Sequence, residues 1–168
     1  YYSWLLEEYD KIAQIDITEL KESYAKASLD GDWRPMIDYM TKAYATSTSV
    51  RQLMEGERNL QGFMTALLSL NPYYLASPEM ETNHGYCDFF LMPDIDRYPM
   101  VRHSYILELK YLKAGATETE ANKQWKEAVE QIHGYANGAM VKKLIRHTQL
   151  HLIIVQVKGS ETIRTEEM

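Results

Sequence analysis

Gly85-Tyr86-Cys87-Asp88-Phe89-Phe90-Leu91 and, further along, Tyr105-Ile106-Leu107-Glu108-Leu109-Lys110-Tyr111-Leu112 decide how this chain reads. Each is a short apolar run with the character of a buried β-strand, and each carries charge inside it. A buried charge is costly unless it is paired or holds a metal. Side chains alternate faces along a strand, so Glu108 and Lys110 project from one face, with Ile106 and Leu112 flanking them. Tyr105, Leu107, Leu109 and Tyr111 form the other face, which makes this a central strand, apolar on both sides. Two carboxylates beside a lysine suit a divalent-metal phosphodiesterase. A structural ion pair between neighbouring strands is the alternative.

The elements around these runs follow from periodicity and turn chemistry. Upstream, Val50 to about Leu70 reads as an amphipathic helix ended by Asn71-Pro72. Leu53, Leu60, Met64 and Leu67 make its stripe, and Glu57 falls on that stripe, where it would need an Arg, Lys or metal partner. Tyr73–Met80 reads as a strand, Thr82-Asn83-His84-Gly85 as a turn, and Tyr86–Met92 as the strand carrying Asp88. Cys87, pointing away from Asp88, reads as a small core hydrophobe. Pro93 to Pro99 is a loop, and Ser104–Leu112 the strand carrying Glu108 and Lys110. Thr117 and Glu120 form a capping box for a helix over about 118–137, with Ala121, Trp125, Ala128, Ile132 and Tyr135 as its buried stripe and Gly138 as its stop. A last strong strand runs from Leu150 to Val157.

The first 49 residues read as a helical segment, a linker or appendage. Asp16 and Glu19 suggest a capping box, Leu20, Tyr24 and Ala27 follow at helical spacing, and Gly31 closes the helix. A second helix begins near Asp32 with Trp33, Ile37, Met40 and Tyr44 on one stripe, and Thr46-Ser47-Thr48-Ser49 breaks it. Residues 50–158 form the expected main domain. The polar tail 159–168 is expected to be disordered.

Bulk composition sets limits. A chain of 168 residues with 45% hydrophobic and 25% charged content is expected to fold as one soluble domain. It opens on Tyr1 rather than Met, and is therefore expected to be a piece of a longer protein. No membrane span or signal peptide is visible, and a lone cysteine suits a reducing, cytoplasmic compartment. The net charge of −6 argues against a dedicated nucleic-acid-binding surface, although carboxylates awaiting a metal add to that excess. Lys142, Lys143, Arg146 and His147 make one small basic cluster, of a kind usual on solvated surfaces. The histidines show no ligand spacing beyond His147 and His151, which straddle an element junction. There is no phosphate-binding glycine loop and no nucleophile elbow.

From residue 50 the order is α-β-β-β-α-β, with Asp88 on the second strand and Glu108-x-Lys110 on the third. This resembles the PD-(D/E)XK nuclease superfamily, which implies a restriction-endonuclease-like α/β fold. Glu79-Met80-Glu81, Gly85 and Asp88 followed by Ile106–Lys110 resemble one branch, the nuclease-like domain C-terminal to bacterial AAA-ATPase-like proteins. Gln131 and Tyr135 are similar to the Q-x-x-x-Y pattern of exonuclease-like branches, which support the site or contact nucleic acid; solvated Gln and core Tyr is the alternative. Tyr86 stands where the branch commonly has Arg, and Cys87 where the superfamily commonly has Pro.

The resemblance implies catalytic Asp88, Glu108 and Lys110, and Mg²⁺ or Mn²⁺ held by Asp88, Glu108 and the Leu109 carbonyl, with Glu57 contributing from its helix. Nucleic acid is the implied substrate, and an AAA-ATPase-like domain the implied N-terminal neighbour. The competing reading is a catalytically silent module of the same fold that regulates its ATPase.

Overall fold

A computed structural model describes residues 16–47, 56–82 and 85–168. The expected helix start at Val50, with Leu53, and the turn residues Asn83 and His84 lie outside the described residues, as does the side chain of Cys87. Helices α1 (Ile17–Ala25), α2 (Arg34–Thr46) and α3 (Glu57–Leu68) precede strands β1 (Tyr74–Thr82), β2 (Gly85–Pro93) and β3 (His103–Leu112). Helices α4 (Glu118–Ala136) and α5 (Ala139–Leu144) then lead to β4 (Gln149–Lys158) and β5 (Glu161–Glu167). The five strands form one sheet in the order β1-β2-β3-β4-β5. Only β3 and β4 run parallel, because α4 provides the crossover that a parallel pair requires.

Helices cover both faces of the sheet. On one side Trp125, Ala128, Ile132 and Tyr135 of α4 pack with Phe90, Ile106, Leu152 and Ile154. On the other, Leu60, Phe63, Met64 and Leu67 of α3 pack with Phe89, Leu91, Leu107, Leu109 and Val155. The expected α-β-β-β-α-β order is thus present from Glu57 to Lys158. Thr117 and Glu120 make the expected reciprocal capping box of α4. Asp16 caps α1 by accepting from the Thr18 and Glu19 backbone N–H groups.

Two expectations about the ends are corrected. The N-terminal helices are not an appendage. Leu20, Tyr24, Met36, Ile37 and Met40 are fully or nearly fully buried in the same core as α3 and the sheet. The Tyr24 hydroxyl donates to the Leu67 carbonyl, and the Tyr105 hydroxyl donates 2.6 Å to that of Ala27. A π-helical turn, Lys26–Asp30, ends at Gly31. There φ is +75°, and a Cβ would sit 2.8 Å from the His103 ring, so glycine is required on both counts.

The second correction concerns the tail. Residues 161–167 are strand β5, paired antiparallel with β4, and not disordered. An edge strand can be polar along its length because the ladder and a few side chains hold it. The Glu167 carboxylate receives the Trp33 indole N–H at 2.7 Å and lies 2.6 Å from His151 Nδ1, whose Nε2 is 2.9 Å from His103 Nδ1. The Arg164 guanidinium sits 4.0 Å over the Trp125 ring.

Candidate active site

The ladder between β2 and β3 is short, covering only Phe89–Leu91 against Tyr105–Leu107. Beyond it the strands fork, and Asp88 occupies the fork. In a continued ladder Leu109 would face Cys87. Instead its N–H donates 2.7 Å to Asp88 Oδ2, so the carboxylate replaces a backbone partner. From the α3 side, Gln61 Nε2 donates 2.7 Å to Asp88 Oδ1.

Glu108 stands on the neighbouring strand and is 2% exposed. Its Oε1 lies 2.8 Å from Lys110 Nζ, which joins the two side chains that the strand alternation put on one face. Its Oε2 is buried, and among the described residues nothing bonds it. Burial pushes the Glu108 carboxyl up to about 7 and the Asp88 charge adds to the rise, while Lys110 and a hydrogen bond from the Asp88 backbone oppose it. Burial also raises Asp88. The Leu109 N–H, Lys110 and Gln61 hold it down in that order, and the charge of Glu57 pushes it up again. Two carboxylates that resist ionising together, one with an oxygen lacking any donor, suit a divalent cation. The donor set is all oxygen, which matches hard ions such as Mg²⁺ and Mn²⁺.

Of the residues expected at the site, the structure brings Asp88, Glu108 and Lys110 together. Leu109 joins them through its N–H. Glu57 is exposed rather than turned inward, since it is the first residue of α3 and lies at the margin of the buried set Leu60, Phe63, Met64 and Leu67. Its charge still reaches Asp88. Among the described residues no group of three or more His, Cys, Asp or Glu side chains is placed to hold a metal. Gln131 and Tyr135 are separated by burial: Tyr135 packs into the α4 core and Gln131 is exposed.

Sequence reasoning missed three glutamines. Gln61 is one. Gln156 pairs with Lys110 in the parallel register, and its amide donates 2.9 Å to the Ala121 carbonyl and 2.9 Å to Gln124 Oε1. Gln124 in turn donates 3.0 Å to the Tyr111 carbonyl, tying α4 to the C-terminal end of β3. A signal for Gln156 was available, because it interrupts an apolar strand as Glu108 does. None was available for Gln61, an ordinary polar residue on a helix.

The family description of the PD-(D/E)XK nuclease superfamily matches residues 55–167, from the start of α3 through β5. No curated protein matches the chain. No described helix is long and apolar enough to cross a membrane.

Proposed function

Because the chain belongs to the PD-(D/E)XK nuclease superfamily, we propose that it hydrolyses phosphodiester bonds of nucleic acid at Asp88, Glu108 and Lys110. The observation that carries this reading is the buried, unbonded Oε2 of Glu108 beside the forked Asp88. A buried carboxylate oxygen without a donor is costly and calls for a cation.

Asp88 and Glu108 would hold Mg²⁺ or Mn²⁺, with the Leu109 carbonyl as a further ligand; Glu57, exposed at the start of α3, would contribute through its charge, which already reaches Asp88. Such an ion, when bound, lowers the pKa of a water and neutralises charge on a phosphate. Lys110 places an ammonium group 2.8 Å from Glu108 Oε1, where it can donate to an oxygen gaining negative charge. Asp88, pinned through both oxygens, keeps its carboxylate plane fixed during turnover. The spacing of Glu79, Glu81, Gly85, Asp88 and Glu108-x-Lys110 supports placement in the AAA-ATPase-associated branch, with an ATPase domain as N-terminal neighbour, and the lone Cys87 suits a cytoplasmic site of action.

Asp88→Ala and Lys110→Ala should each abolish Mg²⁺-dependent cleavage of nucleic acid while leaving the circular dichroism spectrum intact. The reading fails if the wild-type protein binds neither Mg²⁺ nor Mn²⁺ in calorimetry and cuts neither DNA nor RNA. One observation favours the silent module: the Lys110–Glu108 pair is a closed ion pair. Mg²⁺-dependent cleavage by wild type with its loss in Asp88→Ala decides for the enzyme.

A further inference from the structure

We propose that Gln61 is a positioning residue for the metal-binding carboxylates, its amide fixing the orientation of Asp88; this rests on the nuclease reading above. The Asp88 carboxylate is held by donors from two different elements. Gln61 Nε2 reaches Oδ1 from α3, and the Leu109 N–H reaches Oδ2 from β3, each at 2.7 Å. Two donors on two oxygens define a plane, so the group cannot rotate freely about its terminal bond. Each oxygen keeps a lone pair for a cation. Glu108 is held differently, with Oε1 on Lys110 and Oε2 unbonded. The pair therefore consists of one carboxylate pinned through both oxygens and one, held by Lys110 and the Asp88 backbone N–H, whose Oε2 has no partner among the described residues.

The chemistry of the donor matters as much as its place. A lysine at this position would put a second positive charge where the cation must sit. A glutamate would bring a further negative charge against Asp88, which already feels Glu57. A neutral amide donates without either penalty. The alternative role, docking α3 onto the sheet, is already filled by Leu60, Phe63, Met64 and Leu67, all of them buried. Gln61 itself is only partly buried. Hydrogen-bonding partners of metal ligands typically contribute 10–100-fold to metal affinity, and Gln61 has the geometry of one.

The test is calorimetric titration of Mn²⁺ into wild type, Gln61→Met, Gln61→Asn and Asp88→Asn. Methionine keeps the length without the donor; asparagine keeps the amide one methylene short. Both Gln61 variants should bind Mn²⁺ roughly 10–100-fold more weakly. Their thermal unfolding in EDTA should match wild type, and the metal-free Leu109 amide proton resonance should move as its acceptor reorients. Mn²⁺ affinity within about twofold of wild type in both variants overturns the positioning role and leaves the nuclease reading standing. Loss of the folded state in both makes Gln61 structural and also overturns it. Absence of Mn²⁺ binding by wild type overturns both readings together.

Discussion

At Glu108 a single carboxyl group joins two opposed demands. Its surroundings favour the neutral acid, with the pKa pushed up to about 7, while its proposed role needs the charge. A carboxyl whose folded pKa exceeds its unfolded value binds more protons in the native state across the intervening window. Its contribution to stability is therefore full below about pH 4.5 and is lost as pH rises toward 7. The loss is on the order of 3 kcal/mol. Glu108→Gln should raise the melting temperature of the metal-free protein by several degrees at pH 8 and change little at pH 5. Scanning calorimetry in EDTA at the two pH values checks this, and an equal effect at both would refute it. Asp88, Glu108 and Lys110 could be read from sequence because each interrupts an apolar run. Gln61 could not, because its partner is supplied by the fork between β2 and β3, which no local pattern encodes.

The elements were legible where burial leaves a pattern. β3 and β4 are long apolar runs, and α4 carries both a stripe and a capping box. β5 eluded the reading because its residues are exposed or half-buried throughout, so alternation had nothing to show. The short helix α5 eluded it as well, since only Val141 is buried and Gly138 had suggested a stop. What holds β5 is specific instead. Glu167 serves both the Trp33 indole and His151, the latter only 7% exposed in its side chain. Glu167→Ala should cost about 1–3 kcal/mol by leaving these partners without an acceptor. Urea titration of the variant against wild type reads the loss, and a midpoint unchanged in urea would show that the ladder alone secures the strand.

Across the whole molecule, one core joins parts that composition alone separates. The boundary expected near residue 50 follows a real break in sequence pattern, but Leu20, Tyr24, Met36, Ile37 and Met40 complete the face of the sheet opposite α4. A fragment beginning at residue 50 should accordingly fail to fold, showing reduced helicity and aggregation, while the full 168-residue chain gives a single cooperative transition. A stable, soluble 50–168 fragment would refute this. The order of elements was readable, since turns and apolar runs punctuate the chain. The sharing of a core was not, because an amphipathic helix announces that it needs a partner without saying which one.

The bond between Trp33 and Glu167 spans 134 residues, and it has a consequence in time. During synthesis at about 5–20 residues per second, the carboxylate reaches its indole roughly ten seconds after Trp33 is made. For the first part of that interval the segments of α1 and α2 lack the strands they rest on, since β2 and β3 follow Trp33 by some distance in the chain. Completion of that core therefore waits on the last strand to be made, and β5 closes it after every other element is in place.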